Sequence, residues 1–237
     1  MTAHLLTLTD ISTFIGDYHI LQGVNLNVEA GGVSALLGRN GAGKTTTLRS
    51  IMGLCKPLGD IIFDGKNISG LSTAAISRLG IGYVPESMGL FAGLTVAENL
   101  RLAARTKAAD KSRLEQIHAL FPALVKLADR SAGLLSGGQK QMLSIAKAMI
   151  EPKRLILIDE PTKGLAPSVV ADLVEAFRQL TAQGTSILLV EQNFHFAASL
   201  AKEATVIESG RTSWQGQMGE IVENAALKKE LLGVALG

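Results

Sequence analysis

The stretch Gly38-Arg39-Asn40-Gly41-Ala42-Gly43-Lys44-Thr45 carries residue types spaced to hold an anion. It reads G-x-x-x-x-G-K-[ST], and its glycines free the backbone to curl until successive N–H groups point inward at one ligand. A helix opening near Gly43 adds the positive end of its dipole. Lys44 brings a point charge suited to β- and γ-phosphates. The hydroxyl of Thr45 suits a divalent cation, and Thr46 beside it joins the nucleotide-binding set. The competing reading is a structural glycine turn. Context weighs against it: the buried-strand run Val33–Leu37 precedes the loop, and a helical run follows in which Leu48, Ile51 and Met52 share one face.

Asp159 and Glu160 form a second chemical pair, directly after the apolar run Leu155–Ile158. Buried strands of this kind deliver side chains to the crevice at their carboxyl ends. A hard cation on a nucleotide takes oxygen ligands, commonly one aspartate. The neighbouring carboxylate points elsewhere and can polarise an attacking water. An apolar run ending in Asp-Glu is weak by itself, since many exposed strand ends look like that; beside a phosphate loop it reads as functional. Leu135-Ser136-Gly137-Gly138-Gln139 is a third element. Ser136 suits a helix cap, and a serine hydroxyl with free N–H groups at a helix start also makes an anion site. One chain already has a phosphate site, so this second one is expected to close over the nucleotide of a partner chain.

These clusters need strands that end together. Thr7–Phe14 and Val24–Val28 alternate in part with period two around a turn near Gly16. Asp60–Phe63 enters a tight hairpin at Asp64-Gly65. Ile81–Val84 is a short strand stopped by Pro85. Thr95–Arg105 and Lys111–Phe121 read as helices, the second with Leu114, Ile117 and Phe121 at helical spacing. Met142, Ile145, Ala146 and Met149 make one apolar stripe. Pro167 opens a helix with Val170, Leu173, Val174 and Phe177 inward, and Ile187–Val190 is another buried strand, ending at Glu191-Gln192. Strands alternating with helices around a phosphate loop predict an α/β fold, a P-loop parallel-sheet core with an N-terminal antiparallel part and an inserted helical block. We expect one domain over 1–237, its nucleotide-binding core at 1–86 and 150–237 and its helical block at about 87–149.

The 237 residues are 47% hydrophobic and 19% charged, enough to bury a large core. Mean hydropathy is slightly positive. Net charge is +2 and aromatics are 4%, which predicts no nucleic-acid partner. No apolar run approaches the roughly 18 residues of a spanning helix. Met1–Asp10 has no basic region followed by a small-residue cleavage site, so the expected setting is cytoplasmic and at most peripheral to a membrane. Cys55 is the only cysteine; it is expected as a small core residue.

Phosphate loop, Leu-Ser-Gly-Gly-Gln and apolar-run-Asp-Glu, in that order, resemble the ATP-binding subunit of ABC transporters over roughly Phe14–Gly210. The third motif type, Leu-Ser-Gly-Gly-Gln, is the most specific, although coiled-coil DNA-repair ATPases and translation ATPases share versions of it. Tyr83-Val84-Pro85-Glu86, Leu94-Thr95-Val96-Ala97-Glu98-Asn99-Leu100, Gly164-Leu165-Ala166-Pro167 and Val190-Glu191-Gln192-Asn193 look like the branched-chain amino-acid importer ATPases, with urea and amide importers as close relatives. The resemblance implies ATP and Mg2+ as cofactors. Lys44 and the amides from Gly38 to Thr46 would hold the phosphates, and Thr45, Asp159 and Glu86 the metal. Glu160 would be the general base, with Gln192 beside the γ-phosphate. Ser136, Gly137, Gly138 and Gln139 would engage the ATP of the opposite subunit. It implies integral-membrane permease subunits and a second ATP-binding subunit as partners. An extracytoplasmic solute-binding protein would take part indirectly, and the location would be the cytoplasmic face of the inner membrane. The helical block from about Glu86 would receive the permease's coupling helix, and Gly164–Pro167 would cross the dimer interface.

Four positions depart from the wider family. Glu86 stands where most members have Gln, adding negative charge beside the phosphates. Gln192 stands at the usual switch histidine, with His195 as a substitute candidate. Ile15 occupies the place of the aromatic that stacks on adenine, for which Phe14 or Tyr18 are candidates. Glu86-Ser87-Met88 stands where close relatives usually continue Glu-Gly-Arg. A soluble ABC-type ATPase acting on nucleic acid or ribosomes would favour fused cassettes or a long coiled coil, and this chain has neither. An ATPase of lipopolysaccharide export would usually keep the histidine.

Overall fold

The computed structural model describes residues 4–104 and 111–233. Met1–Ala3 of the N-terminal stretch and Arg105, the expected end of one helix, lie outside them. Short, mostly apolar runs rich in Val, Ile and Leu form parallel strands covered on both faces. β3 (Val33–Leu37), β7 (Leu155–Asp159) and β8 (Ser186–Glu191) are buried at every residue. With β6 (Ile81–Val84), β9 (Glu203–Glu208) and β10 (Arg211–Gln217) they make one sheet in the order β10-β9-β3-β8-β7-β6. All neighbours are parallel except the β9–β10 hairpin. Leu37 pairs with Glu191 and Asp159 with Val190, so β3, β8 and β7 end in one row. The loops that leave that row carry the candidate chemistry.

Alternation inside these strands divides the core in two. Val33, Ala35, Leu37, Ile156, Ile158, Ile187 and Leu189 face one apolar cluster; Leu36, Leu155, Leu157, Leu188 and Val190 face the other. The second is closed by α1 (Lys44–Ile51) and by an antiparallel sheet ordered β2-β1-β4-β5, from β1 (Leu6–Ile15), β2 (Tyr18–Val28), β4 (Leu58–Phe63) and β5 (Lys66–Asn67). The expected hairpin at Asp64-Gly65 is present, with both residues at positive φ as a two-residue turn of the mirror-image type requires. α2 (Thr73–Arg78) follows. Cys55 is half-buried and not in the core, because the chain leaves the packed region once α1 ends and Leu54 is already exposed.

The first cluster is closed by α3 (Val96–Ala103), α4 (Lys111–Leu120), α5 (Pro122–Lys126), α6 (Gly137–Met149), α7 (Pro167–Ala182) and α8 (Phe194–Ala198), with α9 (Met218–Glu223) and α10 (Ala225–Leu232) at its margin. α6 is buried more broadly than the Met142/Ile145/Ala146/Met149 stripe predicts. Leu143 and Ser144 are also buried and Met142 only half, since the helix lies between the sheet and α3–α5. Thr95 and Glu98 form a capping box that starts α3 one residue after the expected Thr95.

Asn99 fixes the approach to this block. It is wholly buried; its amide donates to the carbonyls of Phe91 (3.0 Å), Leu94 (3.3 Å) and Thr95 (3.0 Å) and accepts from the Phe91 N–H (3.0 Å). Removing it leaves the Phe91 N–H without its acceptor and takes the side-chain donor from three part-buried carbonyls that keep a backbone partner. Asn99→Ala should therefore cost about 1–3 kcal/mol, read as a lower denaturant midpoint at unchanged slope.

Candidate active site

The phosphate loop joins β3 to α1. Gly38, Gly41 and Gly43 all have positive φ, the backbone that side chains other than glycine rarely adopt. The loop is buttressed by the β9–β10 turn: the Gly210 N–H donates to the Ala42 carbonyl (3.0 Å), and the Gly210 carbonyl accepts from the Gln22 N–H (2.7 Å). Lys44 is 5% exposed. Its ammonium donates to the Gly38 and Arg39 carbonyls (2.9 and 3.2 Å) and lies 3.4 Å from Glu160 Oε1. Arg39, Asn40 and Gly41 are exposed at the rim, and Thr45 is half-buried behind it. A cavity of about 340 Å3 runs from Leu37–Asn40 to Glu191, Gln192 and Phe194.

Asp159 ends β7, 1% exposed, and neither of its oxygens accepts a hydrogen bond from the described residues. Burial pushes its carboxyl from 3.8 to about 6, with the charges of Glu160 and Glu86 adding; the Thr45 hydroxyl and Lys44 oppose, the hydroxyl without closing a bond of ordinary geometry. A buried carboxylate with no donor is costly unless a cation answers it. The orphaned oxygens of Asp159 and the Thr45 hydroxyl fit Mg2+, whose remaining ligands are ordinarily phosphate and water.

Glu160 follows in the left-handed region, φ 46°, rare for a glutamate, and its N–H donates to the Val190 carbonyl (2.9 Å). The turn aims its side chain back at the loop. Oε1 accepts from Gln192 Nε2 at 2.6 Å, and Oε2 lies 3.9 Å from Lys163 Nζ. Gln192, not His195, thus meets Glu160; the His195 ring packs edge-on against Phe194. Glu86, read from sequence as a metal ligand with unbalanced charge, is instead paired with Lys163 at 2.6 Å. That pairing, with the Glu160 charge, holds the Lys163 ammonium above its usual range.

Ser136–Gln139 stand apart from this cluster. Ser136 caps α6 in a capping box: the Gln139 N–H donates to Ser136 Oγ (3.3 Å) and the Ser136 N–H to Gln139 Oε1 (3.0 Å). Gly138 is needed for packing, since a Cβ there would meet Val169 at 2.6 Å, whereas Gly137 is exposed. Phe14 and Ile15 are exposed at the β1–β2 tip with Tyr18. Phe14 stacks on His19 at 4.2 Å. Three residues here have no role that the sequence pattern assigns: His19, Lys163 and Glu191. A lone surface lysine or histidine has no pattern, and a glutamate at a strand end reads as solvated. Glu191 is in fact 2% exposed; burial pushes its carboxyl up, and hydrogen bonds from Thr162, Asn193 and Gln192 pull it back.

The sequence pattern of the family described as "ABC transporter" matches residues 21–163. This chain belongs to the ABC transporter ATP-binding family. As an ABC cassette it is an ATPase. It is 34% identical over 232 residues to the high-affinity branched-chain amino acid transport ATP-binding protein BraG of Pseudomonas aeruginosa, covering 97% of this chain and 100% of that one. It is 35% identical to the probable branched-chain amino acid transport ATP-binding protein LivF of Archaeoglobus fulgidus (92% and 94% covered). It is 32% identical to the lipopolysaccharide export ATP-binding protein LptB of Escherichia coli (90% and 91%). A solved ATP-binding subunit of an ABC transporter superposes with TM-score 0.81 at 30% identity, covering 98% of this chain and 95% of that one.

The cassette's folded state holds the Asp159 proton more tightly than its unfolded state. The stability this contributes is complete below 3.8 and is lost as pH rises through about 6. With a chelator present, Asp159→Asn should therefore melt higher than the parent at about pH 7.5, by roughly 2–4 °C for each kcal/mol relieved, and the two curves should converge near pH 4. Calorimetry across that range checks it.

Proposed function

We propose that this cassette energises import of branched-chain amino acids, or of related small polar solutes such as urea and amides. It would work at the cytoplasmic face of the inner membrane, with integral-membrane permease subunits, a second ATP-binding subunit and, indirectly, an extracytoplasmic solute-binding protein. The names of BraG and LivF support the solute class. For hydrolysis, the carrying observation is the meeting of Lys44, Glu160 and Gln192 beside the orphaned Asp159.

Lys44 and the loop N–H groups hold the β- and γ-phosphates, and Phe14 or Tyr18 at the β1–β2 tip lies against adenine. Thr45 and Asp159 would hold Mg2+, which would offset phosphate charge; Glu86, already paired with Lys163, would take a lesser part. Glu160 accepts a proton from the water that attacks the γ-phosphorus as the bond to the β-bridging oxygen breaks, leaving ADP and phosphate. Gln192 orients Glu160 and donates to the γ-phosphate side. The Ser136–Gln139 element of a second subunit completes the site, and loss of the γ-phosphate releases the pair. The helical block, a subdomain of about 87–149, receives the permease, where Phe91 and Leu134 are exposed.

Glu160→Gln should lower steady ATP turnover by roughly 10²-fold or more while leaving nucleotide binding intact; phosphate release beside equilibrium binding checks both halves, and normal turnover removes Glu160 from the base role. Ser136→Arg should leave binding of the first nucleotide intact and abolish ATP-driven dimerisation, measured by sedimentation. Gentle detergent co-purification with mass identification tests the transport reading: a permease pair and a second cassette are expected. Lipopolysaccharide-export membrane partners would move the chain to the LptB side, and no membrane partner would remove it from transport.

A further inference from the structure

We infer that Glu191 is a positioning residue that locks the Gln192 segment and the loop after Glu160 into one body. The inference rests on the proposed place of Gln192 beside the γ-phosphate. Glu191 is the last residue of β8 and is 2% exposed. Its Oε1 accepts from the Thr162 N–H (3.1 Å) and the Thr162 hydroxyl (2.7 Å). Its Oε2 accepts from the N–H groups of Gln192 and Asn193, both 3.1 Å away. Each oxygen therefore serves a different loop, and the carboxylate is the joint between them.

The chemistry requires a carboxylate. Two oxygens that only accept can answer four donors; a glutamine would turn its NH2 toward one of the two loops, donor against donor. Burying that charge without a cation is expensive, and bonds of this charge-assisted kind offset the cost. A position that served packing alone would be filled more cheaply by an apolar side chain, as Ile187–Val190 of β8 are.

The joint also lies on a continuous path. The Leu165 N–H donates to the Thr162 carbonyl (3.1 Å), and Leu165 Cδ2 lies 3.6 Å from where a Cβ would stand on Gly137. The Gln192 backbone is thus tied through the Glu191 carboxylate to Thr162, and through the Leu165 side chain the same loop reaches Gly137 at the start of α6. The Gln192 side chain stays free to exchange Glu160 for another acceptor, because Glu191 grips only its N–H.

The test compares Glu191→Gln, Gln192→Ala, their double variant and Thr162→Val in the full chain. It reads kcat and KM for ATP, melting temperature, and hydrogen–deuterium exchange at the 162 and 192–193 amides. Expected for Glu191→Gln is a kcat loss of up to about 100-fold at unchanged KM, with faster exchange in both loops. The double variant should be no slower than the worse single variant. Thr162→Val, which removes only the hydroxyl bond, should lose less in the same direction at unchanged melting temperature. Full activity in Glu191→Gln or Thr162→Val beside a loss in Gln192→Ala overturns the inference and leaves the proposed function standing. So do additive losses, a KM that rises in step with the fall in kcat, or exchange that quickens in one loop only. A fully active Gln192→Ala overturns the Gln192 role and this inference with it.

Discussion

A carboxylate that the fold buries and leaves without a donor is the constraint to which the rest of this molecule answers. Asp159 can sit there because it ends a central parallel strand, where neighbouring strands and α1 exclude water. The raised affinity for its proton measures the cost. A parallel sheet suits this arrangement because all its strands run the same way. The ends of β3, β8 and β7 meet in one row, which brings three loops from distant parts of the chain together.

Around that point the charges are arranged in a closed set. Lys44 faces Glu160, Lys163 faces Glu86 and reaches toward Glu160, and Gln192 adds a neutral donor. The extra negative charge of Glu86, which the sequence left unbalanced, is answered locally. Lys163 is exposed enough that its pairing is chiefly a matter of position and net charge, with little bearing on stability. Lys44 is different. Buried, it is held at the loop by the carbonyls of Gly38 and Arg39.

The helix-start element at Ser136 shows how one sequence signal serves two physical ends. The serine and Gln139 satisfy each other's N–H groups, and Gly138 lets α6 approach α7. These needs are internal to the chain. Gly137 has no such need: it is exposed with room for a side chain, which makes it the residue of the five whose type the isolated fold does not explain. A partner that requires close backbone approach would explain it.

The parallel core, the hairpin at Asp64-Gly65 and the strand and helix flanking the phosphate loop were legible in the sequence, because apolar period and turn chemistry are local. So were the residue types of the phosphate loop and the Asp-Glu pair, since a phosphate or a cation dictates them over a few adjacent positions. The half-buried Cys55, the breadth of α6 burial, the Lys163–Glu86 pair and the role of Glu191 were not. Each depends on what stands opposite in space: Lys163 is 77 residues from Glu86, and Glu191 is 29 from Thr162. A charge next to an apolar run looks the same in sequence whether water or two loops will satisfy it. Only the assembled sheet, by closing β8 on both faces, determined that Glu191 would be served by protein donors.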